Sequence, residues 1–222
     1  MNDRLTSPST RRFDYERRLL PNQYLAELEP EAVSSLEEAA GQTHLSVGYP
    51  AWNLLYYVVF CGLDPKRTNL VVVETGTHRG LSTLVIAQAL KDLGARAKVE
   101  TVEADPELLA AARENVTASG LAGHVEFNEG DSLAFLSRLA ESVKQIDFIF
   151  LDDDHSREHV VAELEIVCPK VKAPNGIIYF DNTTRGGVAD ALKDLRRVHG
   201  GNLIEFPNCS WGPPGNAVWQ PG

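Results

Sequence analysis

The chain has 222 residues, 43% hydrophobic and 23% charged, a balance expected of a soluble globular protein large enough to bury its own core. Asp plus Glu number 31 against 21 Lys plus Arg, and the formal charge of −10 argues against nucleic acid or an anionic membrane surface as a partner. Cys61, Cys168 and Cys209 are too few and too widely spaced for a disulfide framework or a paired zinc knuckle, which predicts a reducing, cytoplasmic setting.

Residues 1–24 carry Arg11, Arg12, Arg17 and Arg18 with no apolar stretch behind them, so they read as a loosely held arm rather than a secretory signal. Residues 25–68 read as a helical segment. It holds a short helix over Glu31 to Ala40, then a proline-initiated apolar helix from Gly48 to Cys61. Its longest apolar run, the eight residues Leu54 to Cys61, is far shorter than the ~20 residues of a membrane-spanning helix, and Trp52, Tyr56, Tyr57 and Phe60 are expected in the core.

Residues 69–222 alternate short apolar runs with amphipathic stretches of helical length, the pattern of βαβ units. Strands are predicted at Leu70–Glu74, Val99–Glu103, Val125–Asn128, Ile146–Leu151 and Ile177–Phe180, with a terminal pair at Leu203–Phe206 and Ala217–Trp219. Between them fall helices over Gly80–Leu93, from Asp105-Pro106-Glu107 onward, through Leu133, Leu136 and Leu139, over Glu158–Val171 and over Val188–Val198. The fold class is therefore α/β, a doubly wound and mostly parallel seven-stranded sheet behind a helical N-terminal segment.

Ligands of such sheets collect at the carboxyl ends of strands, and the polar residues cluster there. After the first strand comes Glu74-Thr75-Gly76-Thr77-His78-Arg79-Gly80-Leu81-Ser82, and after the second Glu103, placed to accept hydrogen bonds from ribose hydroxyls. A dinucleotide loop wants a middle glycine where His78 stands, which disfavours a nicotinamide cofactor. Asp152-Asp153-Asp154-His155 ends the fourth strand and Asp181-Asn182 the fifth. Consecutive carboxylates repel unless a cation gathers them, and Mg²⁺ suits an open set of carboxylate and amide oxygens.

The E-x-G-x-x-x-G loop followed by Ser82 resembles motif I of the class I S-adenosylmethionine-dependent methyltransferases, in particular the catechol O-methyltransferase type. That resemblance implies a Rossmann-like sheet of order 3-2-1-4-5-7-6, its last strand antiparallel. It further implies that Glu74 and Ser82 meet the amino-acid end of S-adenosylmethionine, with Gly76, Thr77, His78 and Gly80 forming the loop around it. Glu103, with Ala104 behind it, would hold the ribose, and Asp131 and Ser132 would bracket the adenine. Asp152, Asp181 and Asn182 fall on the metal-ligand positions of that type.

Three residues after Asp152 the catechol type has a lysine where this chain has His155. The segment Asp152 to Leu164 is more similar to the branch that includes the cephalosporin hydroxylases and some sugar O-methyltransferases. His155 is either the general base or a fourth metal ligand; both readings stand at this point. Asp153, Asp154 and Ser156 are read as a helix start, with His159 on its solvated face.

The expected activity is methyl transfer to a hydroxyl of a small molecule. A metal-dependent hydroxylase, a nicotinamide-dependent oxidoreductase and a non-catalytic ligand-binding protein are the alternatives, and whether the arm is exchanged in a homodimer is left open.

Overall fold

A computed structural model describes residues 51–207 and 215–222. The predicted arm, the Glu31 to Ala40 helix and Cys209 lie outside the described residues. Elements follow in the order α1 (Ala51–Gly62), β1 (Val72–Thr75), α2 (Leu81–Leu93), β2 (Val99–Glu103), α3 (Pro106–Ala118), β3 (Val125–Glu129), α4 (Ser132–Ser142), β4 (Phe148–Leu151), α5 (Arg157–Val167), β5 (Ile177–Phe180), α6 (Gly186–His199), β6 (Asn202–Phe206) and β7 (Asn216–Gln220).

The strands form one sheet of order β3-β2-β1-β4-β5-β7-β6, as expected. The first five run parallel, and β7 lies antiparallel to both β5 and β6. Chain order runs outward from β1 in one direction and from β4 in the other. The loops leaving these two strands therefore diverge and open a crevice at their carboxyl ends.

Strand periodicity sends successive side chains to opposite faces, and both faces are buried. In β4, Phe148 and Phe150 pack with α1 and α2, whereas Ile149 and Leu151 pack with α4, α5 and α6. Tyr179 joins the first core, and Ile178 and Phe180 the second. Trp52, Tyr56 and Phe60 of α1 are core residues, as predicted, with the Tyr56 and Phe60 rings stacked at 5.9 Å, whereas Tyr57, also expected in the core, is only half-buried because it lies one position round the helix from that stripe.

Helix starts follow the sequence signals. Asp105 accepts hydrogen bonds from the Glu107 and Leu108 N–H groups and Pro106 opens α3, while Asp131 caps α4 through the Ala134 N–H and Ser156 caps α5 through that of His159. α5 ends at Val167, before Pro169, rather than reaching Val171. Two strands begin two residues later than predicted, at Val72 and Phe148, and one buried residue explains both. The carboxylate of Asp147 accepts from the Val71 N–H and pairs with Arg67 just ahead of the ladder. Among the described residues no helix is long and apolar enough to cross a membrane.

Candidate functional site

The loop leaving β1 is fastened to β2. The Gly76 and Thr77 N–H groups both donate to the Val102 carbonyl, at 3.1 and 3.2 Å, and the Thr77 and Thr101 hydroxyls share a hydrogen bond. Gly76 has φ +82°, and a Cβ there would stand 2.1 Å from the Asp152 carbonyl oxygen. The glycine is thus required by the chain's own β4 loop, a reason additional to the ligand approach the sequence suggested. The His78 N–H donates to one oxygen of Glu103 at 2.8 Å and the Asp105 N–H to the other at 3.0 Å. These two bonds hold the Glu103 carboxylate at the crevice mouth and leave its outward lone pairs to accept hydroxyl groups. Ala104 beside it is exposed, and Gly80 precedes α2 in a left-handed conformation.

Glu74 is fully buried. One of its oxygens accepts from the Thr83 and Thr101 hydroxyls, and the other has no hydrogen-bond partner. Burial pushes its carboxyl up to about 7 against the restraint of the neighbouring hydroxyls of Ser82, Thr101 and Thr83, with Glu103 adding repulsion. Because this value lies above the ordinary 4.5, the folded chain keeps a proton there that the unfolded chain releases. The contribution to stability is complete below about pH 4.5 and is lost as pH rises through about 7. Glu74→Gln should flatten that descent in urea denaturation of the ligand-free protein; an unchanged slope would count against the assignment.

At the ends of β4 and β5, Asp152 and Asp181 are both buried and both held well above the usual carboxylate range. For each the main cause is burial. Repulsion from Glu74 adds to it at Asp152 and repulsion from Asp152 adds to it at Asp181, while Arg185 partly relieves Asp152. Asn216, at the start of β7, donates its amide N–H to one Asp181 oxygen; the other Asp181 oxygen and the Asn216 carbonyl oxygen are buried without partners. Asn182 takes a left-handed φ of +53° and hydrogen-bonds His155. The His155 Nε2 lies 3.4 Å from Asp152 and has no hydrogen-bond partner. Burial, then Arg185, pushes the His155 pKa down, so the ring is neutral at pH 7.

Two mutually repelling buried carboxylates, one with an orphaned oxygen, fit a hard divalent cation. The sequence did not reveal Asn216, which supports this pair. Asn216→Leu should weaken Mn²⁺ binding about 10- to 100-fold while the chain stays folded, as read by electron paramagnetic resonance titration.

Asp131 serves as the α4 cap, and the Ser132 hydroxyl lies 3.2 Å from the His159 Nε2. His159 is a correction: its side chain is only 16% exposed and faces Asp153 at 3.4 Å and Glu163 at 3.9 Å, because α5 turns this edge under the strand ends. Asp154 and Ser156 do begin the helix, with the Ser156 N–H on the Asp154 carboxylate.

The strand order and the acid-lined crevice place the chain in the Rossmann-like class of methyltransferase sheets. Residues 73–183, half of the chain, match the methyltransferase-domain family, and the chain belongs to that family. It is 30% identical over 151 residues to catechol O-methyltransferase B of Danio rerio, covering 66% of this chain and 52% of that protein. It is 28% identical over 144 residues to the rhamnosyl O-methyltransferase of Mycobacterium bovis (strain BCG), covering 61% and 52% respectively. The chain spans about half the length of the curated relatives it matches. The solved structure of an O-methyltransferase from Bacillus cereus in complex with SAH superposes with a TM-score of 0.66 at 20% identity, covering 92% of this chain and 98% of that one, a likeness of fold.

Proposed function

We propose that this protein transfers a methyl group from S-adenosylmethionine to a hydroxyl of a small molecule, with Mg²⁺ orienting the acceptor. The observation that carries the reading is the placement, at the carboxyl ends of neighbouring parallel strands, of a backbone-held Glu103 carboxylate and of the buried Asp152 and Asp181 pair with its orphaned oxygen. The names of the catechol and rhamnosyl O-methyltransferase relatives support the same chemistry, since both specify methyl transfer to oxygen.

When bound, S-adenosylmethionine supplies a sulfonium-activated methyl group, and a divalent ion supplies the positive charge that favours an ionised acceptor oxygen. The chain's own residues then have four tasks. Glu103 accepts from the ribose hydroxyls, while Glu74 and Ser82 face the amino-acid end. Asp152, Asp181 and Asn182 hold the ion. His155, neutral at pH 7, accepts the acceptor's proton at Nε2, the ring atom that lies beside Asp152 and makes no hydrogen bond. Alignment of oxygen, methyl and sulfur is the remaining contribution, made by the fixed strand ends.

Calorimetric titration with S-adenosylmethionine and its demethylated product, each with and without Mg²⁺, tests the reading. Binding of both is expected, with loss in Glu103→Ala. Preference for NAD, or no binding of either compound, would overturn it.

A further inference from the structure

Glu163 belongs to α5 and looks like an ordinary helical acid, yet it is 1% exposed. One of its oxygens accepts from the Thr75 hydroxyl at 2.8 Å and lies 3.9 Å from the His159 Nε2. No lysine or arginine among the described residues pairs with it, and its second oxygen accepts no hydrogen bond. The residue lines a small cavity together with Asp152, Asp153, His155 and Asp181.

Around the single His159 Nε2 stand three oxygens: Ser132 Oγ at 3.2 Å, Asp153 Oδ2 at 3.4 Å and Glu163 Oε1 at 3.9 Å. A ring nitrogen makes one hydrogen bond, so hydrogen bonding cannot account for all three. Donor atoms around a tetrahedral zinc ion, with bonds of about 2.0–2.2 Å, stand roughly 3.3–3.6 Å apart. The Asp153 separation sits at that spacing, the Ser132 separation just short of it and the Glu163 separation just beyond it. One Glu163 oxygen accepts no hydrogen bond, and because burial above all raises this carboxyl to about 8, a cation beside it is what would hold it ionised.

We infer that Asp153, His159 and Glu163 hold a divalent transition-metal ion of the zinc class, with the Ser132 hydroxyl beside it, a set of ligands distinct from and adjacent to Asp152, Asp181 and Asn182. The chemistry of the donors divides the two sites: an imidazole nitrogen with carboxylates suits zinc, whereas the all-oxygen set suits Mg²⁺. The ion would tie the loop after β4 to α5 and to the first turn of α4. The role is structural, and it stands whether or not the protein transfers methyl groups.

The test uses the full chain stripped with a chelator and loaded with Zn²⁺, counted by native mass spectrometry, with Co²⁺ as a visible-absorption reporter. Wild type should bind one more Zn²⁺ per chain than His159→Gln. Asp153→Asn, a change at a partly exposed position, should weaken Zn²⁺ at least ~10-fold while circular dichroism stays native. Asp181→Asn should keep the His159-dependent ion and its Co²⁺ bands. Equal Zn²⁺ counts in wild type and His159→Gln, unaltered affinity in Asp153→Asn, or loss of the His159-dependent ion in Asp181→Asn would each overturn the inference.

Discussion

Asp181→Ala should lower kcat for methyl transfer by about 10³-fold or more, corresponding to roughly 4 kcal/mol of lost transition-state stabilisation, while S-adenosylmethionine affinity changes little. The asymmetry follows from position. Asp181 follows β5, whereas Glu74 and Glu103 belong to β1 and β2, where the proposed cofactor contacts lie. A second readout separates this effect from misfolding. Asp181 is buried with one oxygen unpartnered and is repelled by Asp152, so removing its carboxyl should leave the metal-free protein as stable as wild type or more so. Turnover measured beside thermal unfolding in chelator checks both halves. Equal loss of cofactor binding and turnover would sink the assignment, as would a large fall in stability.

Gly76→Ala carries the largest expected cost in stability. Its Cβ would stand 2.1 Å from the Asp152 carbonyl oxygen and 2.7 Å from the carbonyl carbon, both backbone atoms that cannot swing away, and its φ is +82°. Clash and left-handed strain together should cost about 3 kcal/mol or more, which lowers Tm by roughly 6–12 °C for a domain of this size. Gly94→Ala is the internal control. Gly94 also has a positive φ, of +69°, but a Cβ there meets nothing within 4 Å, so only the conformational penalty of about 1 kcal/mol applies. Similar Tm values for the two variants would show that the β4 loop yields and that the close approach is unimportant.

Much of this architecture was legible because the central strands are buried on both faces and so appear as uninterrupted apolar runs, as in Phe148-Ile149-Phe150-Leu151. Helix starts were legible where a side chain caps its own helix, as Asp105 does. The strand-end acids Glu74, Glu103, Asp152 and Asp181 stood out for the complementary reason: each is a charge adjoining an apolar run. What escaped notice depends on contacts distant in the chain. Asn216 gains its meaning from Asp181, with which it pairs across two strands. Glu163 follows a pattern normal for any amphipathic helix, and its burial arises only when α5 docks below Thr75. Similarly, Asp147 delays the start of two strands through bonds to Arg67 and Val71 that no local pattern announces.

The placement of β7 between β5 and β6 has a consequence for how the protein matures. During synthesis the five parallel strands emerge first, yet β5 keeps an open edge until residues 216–220 arrive to fill it. The same insertion delivers Asn216 to Asp181. A nascent chain can therefore order the ends of β1 and β2 before Asn216 reaches Asp181.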